Sequence, residues 1–301
     1  MANGSLATAH QSYDIPQVRR IGLPDLQAAL RQGWDDFLAI PTQLVFLGIL
    51  YPIIGIVAAR AAEGGGLLPL LFPLVAGLAL VGPVLAIGLY EISRRREAGQ
   101  PTSWRNAFDV LRSPALPGII VLGVLLFVIF GVWIGCARAI YVGTVGAASA
   151  SMAVPDTLGA LADVVMHAPG HGSLIVLGNL AGFLFALLVL TISVVSFPML
   201  LDRNCPPMVA VQTSVRAVRM SPVPMAAWGL IVAVLLVAGS LPFFLGLAIV
   251  IPLLGHATWH LYRETIEAEL NPQPLPPRAQ RERRPAADFP ANLFPWRRKD
   301  S

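Results

Sequence analysis

Long apolar stretches divided by arginine-bearing segments are the feature that most restricts how this 301-residue chain can fold. The apolar stretches lie at about 43–62, 67–90, 115–141, 173–201 and 224–261. An α-helix needs about 20 apolar residues to cross the core of a bilayer. The last stretch is therefore long enough for two crossings, at about 224–240 and 241–261. The sequence predicts an all-α, polytopic transmembrane helical bundle with six spans.

Arginine residues give the predicted bundle a direction. Most of them lie before the first span, between the second and third, between the fourth and fifth, or after the sixth: Arg19, Arg20, Arg31, Arg94, Arg95, Arg96, Arg105, Arg112, Arg203, Arg216, Arg219, Arg263 and those of the tail. The other side holds only Arg60 and Arg138. Short loops rich in Lys and Arg stay in the cytoplasm, so we expect both termini to be cytoplasmic.

The composition excludes a soluble domain. Charged residues make up 13% of the chain, whereas soluble domains carry about 25%. The formal net charge of +4 is explained by the predicted topology, so no nucleic-acid partner is expected. The anionic lipids of the inner leaflet are the partner that this charge favours.

Composition also divides the chain into three parts. Residues 1–22 are expected to form a flexible cytoplasmic leader, and residues 23–265 the six-helix membrane domain. Residues 266–301 form a basic tail rich in proline and arginine. Such a tail has too few apolar residues to offset the entropy of ordering, so we expect it to be disordered in the cytoplasm.

Short amphipathic helices are expected on the cytoplasmic side. Residues 24–40 place apolar side chains on one helical face: Leu26, Ala29, Leu30, Trp34, Phe37 and Leu38. Four polar residues lie off this face: Asp25, Gln32, Asp35 and Asp36. We expect this helix to rest at the membrane interface, with Trp34 at headgroup depth. Shorter apolar stripes over 104–111 and 208–218 either repeat this unit before a two-helix hairpin or are ordinary loops beside a membrane.

No motif of a known enzyme chemistry occurs in the sequence. We find no phosphate-binding loop, nucleophile elbow, HExxH motif or dinucleotide fingerprint. No Asp or Glu lies in the interior of a predicted span, whereas proton-coupled carriers commonly bury a carboxylate there. No catalytic residue is therefore predicted, and a non-enzymatic protein is favoured.

Two histidines near the inner end of the sixth span are the candidate metal ligands. His256 and His260 are four residues apart, so they share one helix face and are close enough to bind one ion. The alternative is an interfacial anchor, because Trp259, Tyr262 and Arg263 beside them are typical of a headgroup belt.

Other candidates lie in the third and fourth spans. Arg138 and Asn179 could face the bundle as polar groups of a binding site, or Arg138 could extend outward to the interface. Small residues four apart allow helices to approach closely. The third and fourth spans are therefore expected to pack through four glycines: Gly131, Gly135, Gly178 and Gly182.

Four stretches also carry a distinctive sequence. They are Leu30–Pro41 (LRQGWDDFLAIP), Leu89–Glu97 (LYEISRRRE) with Ser103 and Trp104 after it, Phe197–Arg203 (FPMLLDR) and Pro252–Arg263 (PLLGHATWHLYR). Together they resemble an uncharacterised family of bacterial integral membrane proteins, a domain of unknown function, some members of which are labelled cytochrome c oxidase subunit I. The resemblance implies a multi-pass domain of the bacterial inner membrane without an established active site.

The function that these observations favour is that of a non-enzymatic accessory, scaffold or lipid-interacting protein. Its expected partners are membrane lipids and other membrane proteins, and no cofactor is expected. A small-molecule carrier is the alternative, because prolines interrupt the spans and because Arg138 and Asn179 are available. A metal-linked or haem-linked respiratory component is the third hypothesis, and it depends on His256 and His260.

Overall fold

Helices form every named element in the part of the chain that the structure describes, which agrees with the predicted all-α fold. A computed structural model describes residues 16–40, 73–74, 82–146, 158–241 and 244–266. The elements are α1 (Leu23–Ala39), α2 (Ile87–Glu97), a 3₁₀ helix (Trp104–Arg112), α3 (Leu116–Tyr141), a π-helical turn (Val142–Gly146), α4 (Leu158–His167), α5 (His171–Ser193), α6 (Ser196–Arg203), α7 (Pro207–Met220), α8 (Pro222–Ser240) and α9 (Leu247–Thr265).

Proline sets the start of several of these helices. Pro24, Pro117, Pro207 and Pro222 each lie within the first two positions of a helix. A first-turn N–H has no partner inside the helix, so a residue without an N–H loses nothing there. The prolines near the arginine-rich segments therefore fix where α3 and α8 begin.

Three helical stretches are long and apolar enough to cross a membrane among the described residues: Leu116–Gly146, His171–Arg203 and Pro222–Ser240. They correspond to the predicted third, fourth and fifth spans. The predicted span at 43–62, and 67–90 apart from residues 73–74 and 82–90, lie outside the described residues. For the predicted span at 241–261, the structure has α9, which begins at Leu247 and is not one of the three.

Helix α3 buries one continuous stripe of side chains. The buried residues recur every three or four positions: Ile119, Leu122, Leu126, Ile129, Trp133 and Ala137. This spacing keeps them on one face of the helix. The stripe packs toward α5, where the ring centres of Trp133 and Phe185 are 5.5 Å apart. The Trp133 indole also donates a 2.9 Å hydrogen bond to the carbonyl of Pro73.

The expected glycine-to-glycine contact between α3 and α5 is not what joins them. A Cβ at Gly131, Gly135 or Gly178 would meet no heavy atom within 4 Å. At Gly182 it would lie 3.4 Å from the ring of Trp133. A large indole therefore fills the space between the two described helices, and the prediction of close backbone approach through these four glycines is wrong there.

The opposite faces of the span-length helices expose large apolar side chains. On α3 these are Ile120, Val121, Val124, Phe127, Val128 and Val132, and on α5 they include Val176, Leu180, Phe183 and Leu184. Contiguous apolar surface of this kind indicates contact with a membrane or a protein. Helices α2, α6 and α9 differ, because most of their side chains are buried.

Helix α1 lies along α9, and a glycine allows the two backbones to approach. A Cβ at Gly33 would be 2.6 Å from the backbone nitrogen of Ala257, which is closer than atoms can pack. The buried face of α1 consists of Leu26, Ala29, Gly33, Asp36 and Phe37. The predicted face is therefore partly wrong: the close approach at Gly33 turns Asp36 inward and leaves Trp34 and Leu38 exposed.

The two ends of the described chain meet beside α1. Val18 and Ile266 form an isolated antiparallel bridge, and the Arg19 amide donates a 2.8 Å hydrogen bond to the Thr265 carbonyl. Val18, Ile21 and Ile266 are buried. Residues 16–22 are therefore packed against α9, in contrast to the flexible leader predicted for this part of the chain.

Replacement of Gly33 by alanine should destabilise the protein. The added methyl group collides with the α9 backbone, and overpacking typically costs about 1–3 kcal/mol. This cost exceeds the gain of at most about 1 kcal/mol in helix propensity. Thermal unfolding in detergent measures the effect, with Gly131→Ala as the matched control because its Cβ meets open space. Equal melting temperatures for the two variants would contradict the close contact between α1 and α9.

Candidate functional site

A layer of polar side chains, most of them buried, lies at the end of the bundle where α3 and α8 begin and α6 and α9 end. We call it the polar layer. It consists of Asp36, Glu91, Ser93, Arg94, Arg95, Arg96, Glu97, Asp109, Asp202, Arg203, His256, Trp259, His260, Tyr262 and Arg263. These residues come from α1, α2, the 3₁₀ helix, α6 and α9. Elements that are distant in sequence are therefore joined by polar contacts rather than by apolar packing alone.

Asp36 is the centre of the polar layer. Its Oδ1 atom accepts a 2.7 Å hydrogen bond from Nε of Arg96. Its Oδ2 atom accepts hydrogen bonds from Oγ of Ser93 at 2.5 Å and from Nε2 of His260 at 2.9 Å. The residue is only 5% exposed. One carboxylate thus ties α1 to both α2 and α9.

His256 extends this set of contacts through Ser93. Its Nδ1 atom is 2.8 Å from Oγ of Ser93. The hydroxyl proton of Ser93 is already donated to Asp36, because a carboxylate only accepts. His256 therefore donates from Nδ1, and its Nε2 atom carries a lone pair. That atom is buried and has no hydrogen-bond partner in the described structure.

The pKa of Asp36 lies below its ordinary value of 3.8. Burial alone would raise this pKa, because it disfavours the charged form. The hydrogen bonds that His260 and Ser93 donate to the carboxylate, together with its electrostatic interaction with His260, outweigh burial. Asp36 is therefore an ionised carboxylate at neutral pH.

A second cluster of the polar layer surrounds Glu91. This side chain is 1% exposed, and its two carboxylate oxygens pair with Arg94 and Arg95, each at 2.7 Å. Arg95 also contacts Asp109 of the 3₁₀ helix at 3.0 Å. At Gly88 a Cβ would lie 2.8 Å from Cβ of Ala107, so the 3₁₀ helix lies directly against α2.

A third cluster joins α6 to α9. The hydroxyl of Tyr262 donates a 2.7 Å hydrogen bond to Oδ2 of Asp202 and accepts a 3.1 Å hydrogen bond from Nε of Arg203. Arg263 lies 3.5 Å from the same carboxylate oxygen. It also donates a 2.8 Å hydrogen bond to Glu97 of α2. Three helices therefore meet around these side chains.

The charges of the polar layer balance. It contains five acidic residues, Asp36, Glu91, Glu97, Asp109 and Asp202, and five arginines, Arg94, Arg95, Arg96, Arg203 and Arg263. Each acid contacts at least one of these arginines within 4 Å. A buried charge costs several kcal/mol unless it is paired and hydrogen-bonded. This pairing is what permits the carboxylates of Asp36, Glu91 and Asp202 to be buried.

Ser93, His256 and Asp36 do not form a hydrolytic triad. In a triad the histidine lies between the serine and the carboxylate and accepts the serine proton. Here Ser93 donates directly to Asp36, so its oxygen is not activated by His256. Ser93 and His256 are also completely buried, which leaves no access for a substrate.

The two histidines predicted as metal candidates are held by other side chains. His260 contacts Asp36 and His256 contacts Ser93. No group of three His, Cys, Asp or Glu residues is placed to bind an ion in the described ranges. The anchor hypothesis is wrong in its geometry, because His256 is buried completely and His260 is 9% exposed. Neither lies on a surface that faces lipid or water.

The described structure brings neither of the two polar residues proposed to face the bundle into a buried site. Arg138 and Asn179 are both exposed. The side-chain amide of Asn179 donates a 2.8 Å hydrogen bond to the carbonyl of Ile175, one turn earlier in its own helix. The positions of these two side chains in the described structure give the carrier hypothesis no support.

Asp36, Ser93 and Asp202 were not predicted from the sequence to belong to a common site. Helical spacing placed Asp36 on the polar face of α1, and nothing local indicated burial. The signal that could have found the site is the set of four stretches that carry the family resemblance. Each of them supplies residues to the polar layer.

Comparison with known proteins supports the membrane assignment. Residues 71–202 match the model of a family described as a predicted integral membrane protein, DUF2189. This match confirms the resemblance to an uncharacterised family of integral membrane proteins, and its description names no oxidase. Comparison with curated proteins and with solved structures gives no match. The matched range includes α2, whereas Asp36 and the two histidines lie outside it.

Substitution of Asp36 by asparagine should lower the free energy of unfolding by at least about 2 kcal/mol. A hydrogen bond to a charged group contributes about 1.5–3 kcal/mol, and the variant weakens three of them. Chemical unfolding in detergent measures the loss. Asp35→Asn is the matched control, since Asp35 is the exposed neighbour. An equal, small effect in both variants would show that Asp36 does not hold the layer together.

The contribution of Asp36 should also depend on pH in a defined direction. Because its folded pKa is lowered, the stabilisation is complete above the ordinary value of 3.8 and is lost as pH falls further. The groups that face it are Ser93, Arg96, His256 and His260. The measurement is the difference in unfolding free energy between wild type and Asp36→Asn from pH 7 to 3. A difference that has already vanished at pH 5 would contradict the lowered pKa.

Proposed function

We propose that this integral membrane protein is a non-enzymatic accessory or scaffold protein of the bacterial inner membrane. The observation that carries the proposal is the internal pairing of the polar layer. Its acids and arginines neutralise one another, and Ser93 and His256, which could otherwise take part in catalysis, are completely buried. A layer built in this way fixes the positions of helices and offers little to a soluble substrate.

The proposed topology has six spans with both ends in the cytoplasm. The described spans Leu116–Gly146, His171–Arg203 and Pro222–Ser240 supply three of them. The proposed first and second spans come from 43–62 and 67–90, and the sixth from residues 241–261. The bridge between Val18 and Ile266 supports a common side for both ends, and the arginines at the polar-layer end favour the cytoplasm.

The same proposal gives the 3₁₀ helix and α1 a place at the membrane interface. Trp104, Phe108 and Leu111 are exposed on the 3₁₀ helix, immediately before α3 begins at Leu116. Trp34 and Leu38 are exposed on α1. Aromatic side chains of this kind are enriched at headgroup depth, which supports an interfacial position for both helices.

A cysteine-accessibility experiment separates a scaffold from a carrier. In a background with Cys136→Ala and Cys205→Ala, single cysteines replace Leu126 and Ile129 on the buried stripe of α3, or the exposed Arg112 as a control. We expect a membrane-impermeant maleimide to label only the Arg112→Cys variant, because no water reaches the stripe. Labelling of the control in inside-out vesicles but not in intact cells would support the cytoplasmic assignment.

Two results would count against the proposal. Rapid labelling of Leu126→Cys or Ile129→Cys in native membranes would reveal an aqueous path and favour the carrier. Labelling of Arg112→Cys in intact cells would reverse the orientation. Denaturation in detergent should expose all three positions, which confirms that each cysteine is present and reactive.

A further inference from the structure

Six arginines around the polar layer differ from those within it. They are Arg20, Arg31, Arg105, Arg112, Arg216 and Arg219, and we call them the basic rim. All six are exposed, and none forms an ion pair with an acid among the described residues. Asp35 is the exposed acid at this end that has no ion-pair partner in the described structure. The rim therefore carries an uncompensated positive charge, whereas the polar layer beneath it is neutral.

Exposed apolar side chains accompany the basic rim. On the 3₁₀ helix, which also carries Arg105 and Arg112, the side chains of Trp104, Phe108 and Leu111 are 41%, 54% and 65% exposed. The guanidinium carbon of Arg105 lies 5.6 Å from the centre of the Trp104 ring. A soluble anion would gain nothing from the exposed apolar groups. A ligand that offers both negative charge and hydrocarbon would contact both kinds of side chain.

The surface is continuous with the lipid-facing part of the bundle. The 3₁₀ helix ends at Arg112, and the exposed apolar face of α3 begins at Ile120. On α7, Arg216 and Arg219 precede the span-length helix α8 by less than two turns. Arginine guanidinium groups bind phosphate oxygens through paired hydrogen bonds. The rim therefore borders the exposed apolar surface of the span-length helices.

We propose that the basic rim is a binding surface for anionic phospholipids, with the guanidinium groups on the phosphodiesters and Trp104, Phe108 and Leu111 among the upper acyl chains. This partner assignment rests on the proposed placement of the 3₁₀ helix at the membrane interface, but not on which side of the membrane the rim faces. The charge of the lipid headgroup is the specificity determinant. Neutral phospholipids share the hydrocarbon and the phosphate but have no net charge for the rim to neutralise.

Spin-labelled lipids test the proposal with the full chain in liposomes. The measurement is the fraction of motionally restricted label for phosphatidylglycerol and for phosphatidylcholine, in a phosphatidylcholine host. We expect the protein to restrict phosphatidylglycerol preferentially, and the preference to fall as salt is raised. The Arg105→Gln/Arg112→Gln variant should lose about fivefold or more of that preference, since each basic residue near an anionic surface contributes about that factor.

Matched variants keep the result interpretable. Arg138→Gln removes an exposed arginine at the other end of α3 and should leave the preference unchanged. Arg216→Gln/Arg219→Gln should reproduce the loss on a different helix if the rim acts as one surface. The melting temperature of each variant is also measured, and only variants that melt at the wild-type temperature are compared. A folding defect is therefore not counted as a binding defect.

Three outcomes would overturn the proposal. One is equal restriction of the two lipids by wild type, and another is an unchanged preference in both rim variants. The third is an equal loss in Arg138→Gln, which would indicate a general effect of net charge. Competition by inorganic phosphate at constant ionic strength would point to a soluble phosphate ligand instead. None of these results would change the cysteine labelling on α3, which tests the scaffold proposal. The lipid-binding proposal can therefore fail while the scaffold proposal stands, and the two failures are distinguishable.

Discussion

The ionised carboxylate of Asp36 is the interaction on which the polar layer depends. It accepts hydrogen bonds from α2 and α9, and its own helix lies against α9 at Gly33. Close helix packing brings the carboxylate inward, and the donors around it make its burial possible. Close packing alone would not be sufficient, because a buried carboxylate without hydrogen-bond donors would be protonated or would move out to solvent. Glu91 and Asp202 are also buried carboxylates, and each of them is paired with arginines.

The molecule consequently has two regions that differ in where their apolar and charged side chains lie. In the span-length helices, apolar side chains cover the outside and a stripe of apolar residues packs inside. At the polar-layer end, the charges are paired and many of them are buried, and a further set of exposed arginines lies outside them. A bilayer accounts for this division, since it provides hydrocarbon around the first region and an ionic, hydrated boundary around the second.

The sequence was sufficient for what depends on local composition. The three span-length stretches and the helical fold follow from long apolar stretches of sequence. The bounds of Leu116–Gly146, His171–Arg203 and Pro222–Ser240 agree with the predicted third, fourth and fifth spans within a few residues. The positions of the buried polar side chains could not be predicted, because they depend on contacts between segments that are distant in the sequence. Asp36 was placed on a polar face because spacing describes one helix at a time, and Gly33 draws α9 over that face. His256 and His260 were interpreted as metal ligands or as interfacial anchors for the same reason, since nothing in their own helix indicates Ser93 or Asp36.

The pairing of Asp36 with His260 has a consequence for the biogenesis of the protein. The two residues are 224 positions apart in the chain. A ribosome adds about 5–20 residues per second, so α1 leaves it roughly 10–45 seconds before its partner helix has been made. During that interval the carboxylate lacks the hydrogen bond from His260, and α1 cannot adopt its final position against α9. Docking of the first helix is therefore a late event in assembly, and it cannot occur before the last described helix has been synthesised.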